Sequence, residues 1–545
     1  MTETKKGIFV VNGQNLAFTF ALVSSLFFVW AVCNGMIDVM DKHFQEELSL
    51  SKSQSAWVQF AHYLGYFLMS MPAAWLAIKL GYKGGIIMGL LIVAAGGFWF
   101  IPATHISALS LAGRVSPTTA FIGFLAGVCV IAAGLTFLET IANPYTTVLG
   151  DQRFAATRIN LAQSCNGAGW ILGPIIGSIF FYSKDAAGNN TGSETLYIPY
   201  VTVAITVVVL ATVFAFAKMP DIQTEDDYHL DENTDKAPAA GSGEINRPLV
   251  YGLLWLNSVT LMGACGVIVW LILQSLQLGE NTINWILGVG GVTLAVVAGL
   301  ALIPFVRRFT SNSVWAHPHF TGSIMAQLMY VAAQAGIFSF FINYMTAEVP
   351  AVPSSWNAAM TSFAAHSGFL HNWMLGWFET NKAGILAISN KGASNLASLG
   401  FVCFLVGRFT GAGLLRKFAA HKILGLYAVL NVAATLLVFA KLGWFSVVCV
   451  FLSYFFMSIM FPTIFALGIF GLGARAKKAS AFIVMAIMGG AILPKLMGYV
   501  ADKFDMSRGF IVPMFCFGLV ALYAFNWPRL SKAESLSGAP ASAGH

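Results

Sequence analysis

The chain has 545 residues, of which 57% are hydrophobic and 10% are charged, and its formal net charge is +7. Ordinary soluble domains carry about 25% charged residues, so this composition excludes secreted, nuclear and cytosolic enzymes and indicates a polytopic membrane protein. The basic residues are dispersed rather than clustered, which argues against nucleic acid as a partner.

Apolar runs of about 20 residues, the length that crosses a bilayer as a helix, recur along the chain in a six, two, six pattern. They centre on residues 16–38, 56–78, 84–101, 121–149, 160–182, 197–217, 248–275, 284–306, 321–345, 393–415, 423–440, 444–470, 480–500 and 508–527. The equal sets of six indicate a duplicated bundle, as in many transporters. We therefore predict an all-α membrane protein with two six-helix bundles plus an inserted helix pair, about fourteen transmembrane helices in total.

The predicted domain organisation follows from these runs. It consists of an N-terminal bundle (1–219), an acidic cytoplasmic linker (220–247), an inserted two-helix segment and loop (248–320), a C-terminal bundle (321–530) with a periplasmic insertion (347–391), and a cytoplasmic tail (531–545). With both termini inside, Lys and Arg near the span ends favour the cytoplasm by about two to one. The insertion is rich in aromatic residues such as Trp356 and Phe363. It is interpreted as either a membrane-surface helix or a cap over a cavity.

Two carboxylates lie in the predicted spans, where each costs roughly 2.5–3.5 kcal/mol and so needs a cavity, a partner or a function. Asp38 is in the first span, toward the outer face, and Glu139 is in the inner half of the fourth. Desolvation disfavours the charged form of such groups, which lets them load and release protons. The structural alternatives are that Asp38 marks the outer end of its helix and that Glu139 bonds a neighbouring helix.

Carboxamide side chains also cluster in or beside the spans, and we predict that they bind substrate. The candidates are Asn34, Gln59, Asn160, Gln163, Asn166, Gln334 and Asn395. The three from 160 to 166 are spaced by three residues and share one helical face. Carboxamides interleaved with rings such as Trp30, Tyr66 and Trp170 suit a neutral polyhydroxylated solute. The alternative is that the amides hold helices together.

Arg408 is the one arginine placed inside a predicted span, where it pairs with a carboxylate or helix-end carbonyls, or else reaches the inner interface. The fifth span carries Gly169, Gly173 and Gly177 at a spacing that indicates close helix packing.

The chain resembles the major facilitator superfamily and, within it, the fucose:proton symporter family. The resemblance rests on LVSSLFFVWAVCNGMID (22–38), VQFAHYLGYFLMSMPA (58–73), FLETIANPYTTVLG (137–150), INLAQSCNGAG (159–169), AQLMYVAAQ (326–334), GRFTG (407–411), FMSIMFPTIFALGI (456–469) and FIVMAIMGG (482–490). It implies two bundles that rock about a central site and move a sugar together with a proton. It also implies that Asp38 and Glu139 are the family's membrane carboxylates and that Gln163 and Asn166 line the sugar site.

We therefore expect a monomeric transporter in a bacterial inner membrane that imports a neutral sugar, such as a hexose or amino sugar, with the proton as coupling ion and no cofactor or metal. An uncoupled facilitator or exchanger is the alternative within transport. Against an intramembrane enzyme, the sequence has no HExxH, GxSxG or Walker loop. A sensor would need an output domain, for which the acidic linker is too short.

Overall fold

The fold is almost entirely α-helical. The computed structural model describes residues 9–11, 14–47, 50–149, 155–182, 195–219, 245–275, 280–309, 313–364, 376–380, 384–415, 418–470, 472 and 476–531. The acidic stretch at 221–244 and the tail beyond residue 531 lie outside the described residues.

The helices fall into an N-terminal half, a hairpin and a C-terminal half. The N-terminal half comprises α1 (Ala17–Glu47), α2 (Lys52–Ser55), α3 (Trp57–Leu111), α4 (Pro117–Val148), α5 (Ala155–Phe180) and α6 (Tyr197–Phe216). The hairpin comprises α7 (Arg247–Ser275) and α8 (Glu280–Arg307). The C-terminal half comprises α9 (Pro318–Ser339), α10 (Phe341–Ala347), α11 (Ser354–Ala364), α12 (Asn390–Leu415), α13 (Ala420–Phe439), α14 (Trp444–Met457), α15 (Met460–Ile469), α16 (Ala476–Met485), α17 (Gly489–Lys503), α18 (Met506–Gly509) and α19 (Ile511–Ser531).

Strands are a minor part of the described structure. Two short antiparallel pairs occur, β1 (Val10–Val11) with β2 (Gln14–Asn15), and β3 (Phe378–Thr380) with β4 (Leu386–Ile388). In the first pair Val10 lies opposite Asn15, and in the second Phe378 lies opposite Ile388. The second pair follows α11 in the predicted periplasmic insertion.

Two helices differ in extent from the predicted spans. The predicted second and third spans form one bent helix, α3, in which Gly81 alone is non-helical, with φ 67°. Glycine adopts positive φ without the steric cost of a Cβ, so one residue replaces the predicted loop. Helix α1 continues nine residues past Asp38 to Glu47, and Phe44 in this extension is buried. Asp38 is therefore not at a helix end.

Ten helices in the described part of the chain are long and apolar enough to cross a membrane. The number is eleven if α9 and α10, which meet at 45°, form one bent span. The apolar part of α5, Cys165–Phe180, is shorter than these. The all-helical prediction is confirmed, whereas the count of fourteen spans stays a prediction.

Close packing of α1 against α5 depends on glycine. A Cβ at Gly173 would lie 2.6 Å from the Cα of Gly35, and one at Gly169 would lie 2.4 Å from the carbonyl oxygen of Phe28. Neither distance leaves room for a side chain, so the glycines of the fifth span let two backbones meet, as small residues do in membrane helix pairs.

Helix α1 ends beside the C-terminal end of α17, and we call this face of the bundle the distal face and its opposite the proximal face. At the distal face the main-chain N–H of Lys52 donates to Asp502 Oδ1 at 3.1 Å. The Lys52 ammonium donates to the carbonyl oxygen of Ala501, also at 3.1 Å. The distribution of Lys and Arg predicts that the distal face is periplasmic.

Helix α11 favours the membrane-surface interpretation of the insertion over the cap. Trp356 and Phe363 are 49% and 60% exposed, and the Trp356 ring contacts the ring of Trp444 at the start of α14, with centroids 5.0 Å apart. Amphipathic rings at such a position are typical of a bilayer interface. Phe369 and Trp373, which the cap interpretation also needs, lie outside the described residues.

Candidate functional site

Asp38 is buried within α1 and is held by a neighbouring helix. Gln59, near the start of α3, donates its Nε2–H to Asp38 Oδ1 at 2.8 Å. The two side chains are 7% and 1% exposed. Among the described residues Asp38 Oδ2 has no hydrogen-bond partner. One oxygen of this carboxylate is thus fixed and the other remains available for a proton or a ligand group.

A second polar cluster joins α1, α3 and α4. Trp30 donates its indole N–H to the hydroxyl of Tyr66 at 2.5 Å, and that hydroxyl also interacts with the Asn34 side chain. The Asn34 amide donates to the carbonyl of Trp30 at 2.7 Å. Glu139 lies within electrostatic reach of Tyr66. The structure therefore brings three of the predicted features together, namely the Glu139 carboxylate, the Asn34 amide and two aromatic rings.

Aromatic rings continue from this cluster into the C-terminal half. The ring of Trp170 on α5 lies 6.0 Å from that of Trp30 and stacks on Phe401 of α12 at 4.8 Å. Phe338 of α9 stacks on Tyr454 of α14 at 4.6 Å and packs edge-on against Phe401 at 4.8 Å. This aromatic bridge spans the boundary between the two halves at membrane depth.

Tyr454 connects the bridge to the buried carboxylate. It is completely buried, and its hydroxyl has no hydrogen-bond partner among the described residues. Asp38 lies within electrostatic reach of this phenol. A buried hydroxyl without a partner costs roughly 1–3 kcal/mol, so the site carries unused hydrogen-bonding capacity.

The remaining predicted amides divide into separate groups. Asn166 is buried on α5 and Gln334 is half-buried on α9. Asn160 and Gln163 belong to α5, but their side chains lie outside the described part of the chain. Asn395 accepts a hydrogen bond from Ser178 Oγ at 3.0 Å across the boundary between the halves. Asn395 therefore joins α12 to α5 near the distal face, in addition to its predicted contact with substrate.

Arg408 bonds a carbonyl, which was one of its predicted alternatives. Its Nε donates to the main-chain oxygen of Ser458 at 3.4 Å, and its guanidinium lies 5.0 Å from the Phe404 ring centroid. Ser458 lies in the break between α14 and α15, where Tyr330 donates to the carbonyl of Met457 at 3.1 Å. Both donors satisfy carbonyls that the broken helix leaves open at membrane depth.

Polar contacts near the distal face bind the two halves together. Asn343 on α10 donates its Nδ2–H to Gln45 Oε1 at 2.5 Å, and Gln45 Nε2 lies 3.4 Å from Asn343 Oδ1. Farther into the bundle, the ammonium of Lys495 lies 3.3 Å from the ring centroid of Trp57. We call the Gln45–Asn343 and Lys495–Trp57 pairs the distal latch.

Several of these residues carry no clear signal in the sequence. Lys495 is one of them, and it is 0% exposed. It is buried because α17 faces Trp57 of the other half rather than solvent. Phe338, Phe401 and Tyr454 carry no signal in their spacing, because an aromatic ring in an apolar span is usually a packing residue.

Comparisons with known proteins agree with this architecture. The Major Facilitator Superfamily profile matches residues 16–378. The L-fucose–proton symporter of Escherichia coli (strain K12) is 29% identical over 542 residues, which cover 96% of each chain. A glucose/galactose transporter of Brucella abortus is 26% identical over 511 residues, which cover 94% of each chain.

A solved structure gives the same result for the fold. The fucose:proton symporter of E. coli, crystallised in the outward conformation, aligns with a TM-score of 0.54 at 29% identity, covering 93% of this chain and 98% of that one. The named relatives are transporters, and the resemblance inferred from the sequence motifs is confirmed. The chain belongs to the Major Facilitator Superfamily and is a multi-pass membrane transporter.

Proposed function

We propose that this transporter imports a neutral sugar together with a proton by alternating access. The observation that carries the proposal is the buried Asp38 carboxylate, held by Gln59 on one oxygen and placed within electrostatic reach of Tyr454 in the opposite half. A carboxylate at this depth is costly when charged. Its protonation is therefore linked to what the opposite half presents to it.

The two carboxylates have different roles in this proposal because they lie at different depths. Counting ~1.5 Å per residue, Asp38 is about 32 Å from the start of α1 and Glu139 about 33 Å from the start of the antiparallel α4. Asp38 is therefore in the distal part and Glu139 in the proximal part. Asp38 takes up a proton when the distal side opens, and Glu139 exchanges a proton beside Tyr66.

The substrate class follows from the neutral hydrogen-bonding groups around the aromatic bridge. Asn34, Asn166 and Gln334 offer amide donors and acceptors, and Trp30 and Trp170 offer ring faces to the apolar side of a sugar ring. Gln163 and Asn160, which also belong to α5, stay candidates from the sequence. The names of the relatives, which transport fucose, glucose or galactose, support a hexose or a related sugar.

The described structure fits a state that is closed at the distal face. The distal latch and the Ser178–Asn395 hydrogen bond all join the halves from membrane depth toward this face. With the distal face periplasmic, this state is closed to the periplasm within a cycle of two bundles, 1–219 and 321–530. The proposed carrier is a monomer of fourteen spans in the bacterial inner membrane, with cytoplasmic termini and no cofactor.

The proposal is tested by uptake into proteoliposomes. Labelled glucose, galactose, fucose, mannose and N-acetylglucosamine are offered with and without an inward proton gradient. Wild type is compared with Asp38→Asn, Glu139→Gln and, as a matched control, Glu379→Gln, whose carboxylate lies on the exposed β3 strand. Counterflow with sugar on both sides is measured in parallel, because exchange does not require net proton movement.

Coupled import predicts that wild type and Glu379→Gln accumulate one sugar above equilibrium only when the gradient is present. Glu139→Gln then loses accumulation but keeps counterflow. If the sugar only equilibrates in all four proteins whether or not a gradient is applied, the carrier is a facilitator and the carboxylates are structural. If no sugar moves at all while the protein is folded, the substrate class is wrong.

A further inference from the structure

The α7–α8 hairpin contacts the C-terminal half at two places and leaves a gap between them. Toward the proximal face, Asn257 Nδ2 donates to the carbonyl oxygen of Thr321 at 2.9 Å. Toward the distal face, Trp270 packs edge-on against Tyr499 with ring centroids 4.6 Å apart. The stretch of α7 between these contacts includes Gly263, where a Cβ would meet no atom within 4 Å.

The gap is a cavity of about 470 Å³ that we call the α7 groove. Its walls come from α7, α9, α17 and α19, and they include Thr260, Gly263, Leu328, Leu496 and Phe515. Among the residues that the structure describes, its lining is apolar apart from Thr260 and backbone groups, and none of the lining residues is charged. The size is within the roughly 300–1,000 Å³ of cavities that enclose small organic molecules.

The groove opens to the membrane side of the protein rather than to the boundary between the halves. Ile511 and Phe515 on its rim are 42% and 65% exposed. The outer helix of the hairpin, α8, is almost fully exposed, with only 6% of its most apolar 18-residue stretch buried. Hydrocarbon therefore surrounds this region, and an apolar cavity left empty there would forfeit dispersion contacts with its walls.

Two basic residues lie toward the distal end of the groove, and the ammonium of Lys503 is 5.8 Å from the ring centroid of Tyr499, which packs against Trp270 at the distal contact. Lys503 lies seven residues, about two helical turns, beyond Leu496 on α17 and is therefore on the same face. Arg508 is 55% exposed by side chain and comes four residues before Val512, another lining residue. The nearby acidic residue Asp505 already pairs with Lys441 at 2.9 Å and with Arg508 at 3.4 Å. Lys503 thus offers a positive charge at the level where lipid phosphates lie.

We propose that the α7 groove binds one acyl chain of a phospholipid, whose phosphate lies between Lys503 and Arg508. The bound lipid fills the space at Gly263 and joins the hairpin to the C-terminal half. This inference does not depend on the identity of the transported solute, because it concerns a surface outside the boundary between the halves. The charge at the mouth favours an anionic headgroup, such as phosphatidylglycerol, over a zwitterionic one.

Native mass spectrometry of the full-length protein, released from detergent and titrated with phosphatidylglycerol or phosphatidylcholine, tests the proposal. Gly263→Trp fills the groove, and Thr260→Phe fills it independently in case the first variant does not fold. The matched control is Gly290→Trp on α8, where a Cβ likewise meets no atom within 4 Å but which does not line the groove. Folding is checked by size-exclusion chromatography.

The expected result is that wild type and Gly290→Trp retain one phosphatidylglycerol, while both groove-filling variants bind it at least tenfold more weakly. The double variant with Lys503→Gln and Arg508→Gln should lose the preference for phosphatidylglycerol over phosphatidylcholine. Equal lipid binding by wild type and the groove-filling variants would overturn the proposal. A dimer that disappears in those variants would also overturn it, since a second copy of the chain would then occupy the groove.

Discussion

Replacing Asn343 by alanine should shift the transporter away from its distally closed state. The side chain of Asn343 is 2% exposed and forms the amide pair with Gln45 in the opposite half, through contacts of 2.5 and 3.4 Å. Asn343 is a cleaner position to change than Gln45, because Gln45 also donates to Ser55 within its own half at 2.8 Å. Asn343→Ala therefore removes the amide pair between the halves and leaves the Gln45–Ser55 hydrogen bond intact.

The size of the shift follows from the two bonds that are lost. Each typical hydrogen bond contributes a net ~0.5–1.5 kcal/mol, and the 3.4 Å contact is at the weak end. The closed state should lose about 1–2 kcal/mol relative to the distally open one, in which water solvates both amides. This corresponds to a change of roughly 5- to 30-fold in the ratio of the two states.

The shift is measured by electron–electron resonance between spin labels on opposite halves at the distal face. The labels are attached at Ser51→Cys and Phe504→Cys, because Ser51 and Phe504 are both exposed. The seven native cysteines are replaced beforehand. Asn343→Ala should raise the population of long distances. The control is Asn526→Ala, whose amide donates to the carbonyl of Leu522 in its own helix.

A double-mutant cycle gives the sharper test of the amide pair. If Gln45 and Asn343 act as one unit, Gln45→Ala combined with Asn343→Ala should shift the distances little more than Asn343→Ala alone. An unchanged distance distribution in Asn343→Ala would refute the argument that this pair holds the distal face closed. Fully additive effects would show that the two amides act separately.

Three further outcomes are expected. Gly173→Leu should destabilise the protein by about 1–3 kcal/mol or prevent folding, because overpacking forces the two backbones apart. Gly518→Leu is the control, since a Cβ at Gly518 meets no atom within 4 Å, and it should not destabilise the protein. Thermal unfolding in detergent compares the two variants. Arg408→Met should lower the free energy of unfolding by roughly 1.5–3 kcal/mol, since a carbonyl at the break between α14 and α15 loses a charged donor; a variant as stable as wild type would contradict this. Although partial burial acts in the opposite direction, hydrogen bonds from Lys441 and from a main-chain N–H hold the pKa of Asp505 below its ordinary value, and the hydrogen bond to Asp505 raises the pKa of Lys441. The stability that the lowered pKa of Asp505 contributes is present above its unfolded pKa of ~3.9 and is lost as pH falls through the folded pKa. Lys441→Ala should therefore lower the free energy of unfolding by about 0.2–1 kcal/mol at pH 7 and by almost nothing well below pH 4. An equal loss at both pH values would refute the linkage.

The sequence predicts the helical architecture well because composition and run length act locally. Twenty apolar residues with few charges have few alternatives to a membrane helix, and the predicted spans overlap the observed helices. Their ends are less predictable, because the apolar run in α1 stops before the helix does. The extension from Val39 to Glu47 is stabilised by packing, in which the Phe44 ring lies 5.0 Å from Phe124 of α4. Such a tertiary contact has no counterpart in the local hydropathy.

The candidate site is predictable only in its charged and amide members. Asp38 and Glu139 stand out because a carboxylate in a span is costly, and that cost needs no knowledge of neighbours. Tyr454 and Phe401 do not stand out, since their importance comes from the opposite half that packs against them. Lys495 shows the same limit, because its burial depends on the ring of Trp57 in a helix more than 400 residues earlier.

The contacts between the halves differ with depth, being polar near the distal face and aromatic deeper in the bundle. Near the distal face the halves meet through neutral amides, the contacts of Lys52 with Ala501 and Asp502, and one cation over a ring. These contacts are worth roughly 0.5–3 kcal/mol each and are therefore readily exchanged for water. Deeper, they meet through Trp170 and Phe401, rings that can slide past one another or face a ligand without leaving a charge unpaired. The costly carboxylate of Asp38 is fixed to Gln59 within its own half. Motion between the halves then need not break that hydrogen bond, and only the group facing its second oxygen changes with the state of the carrier.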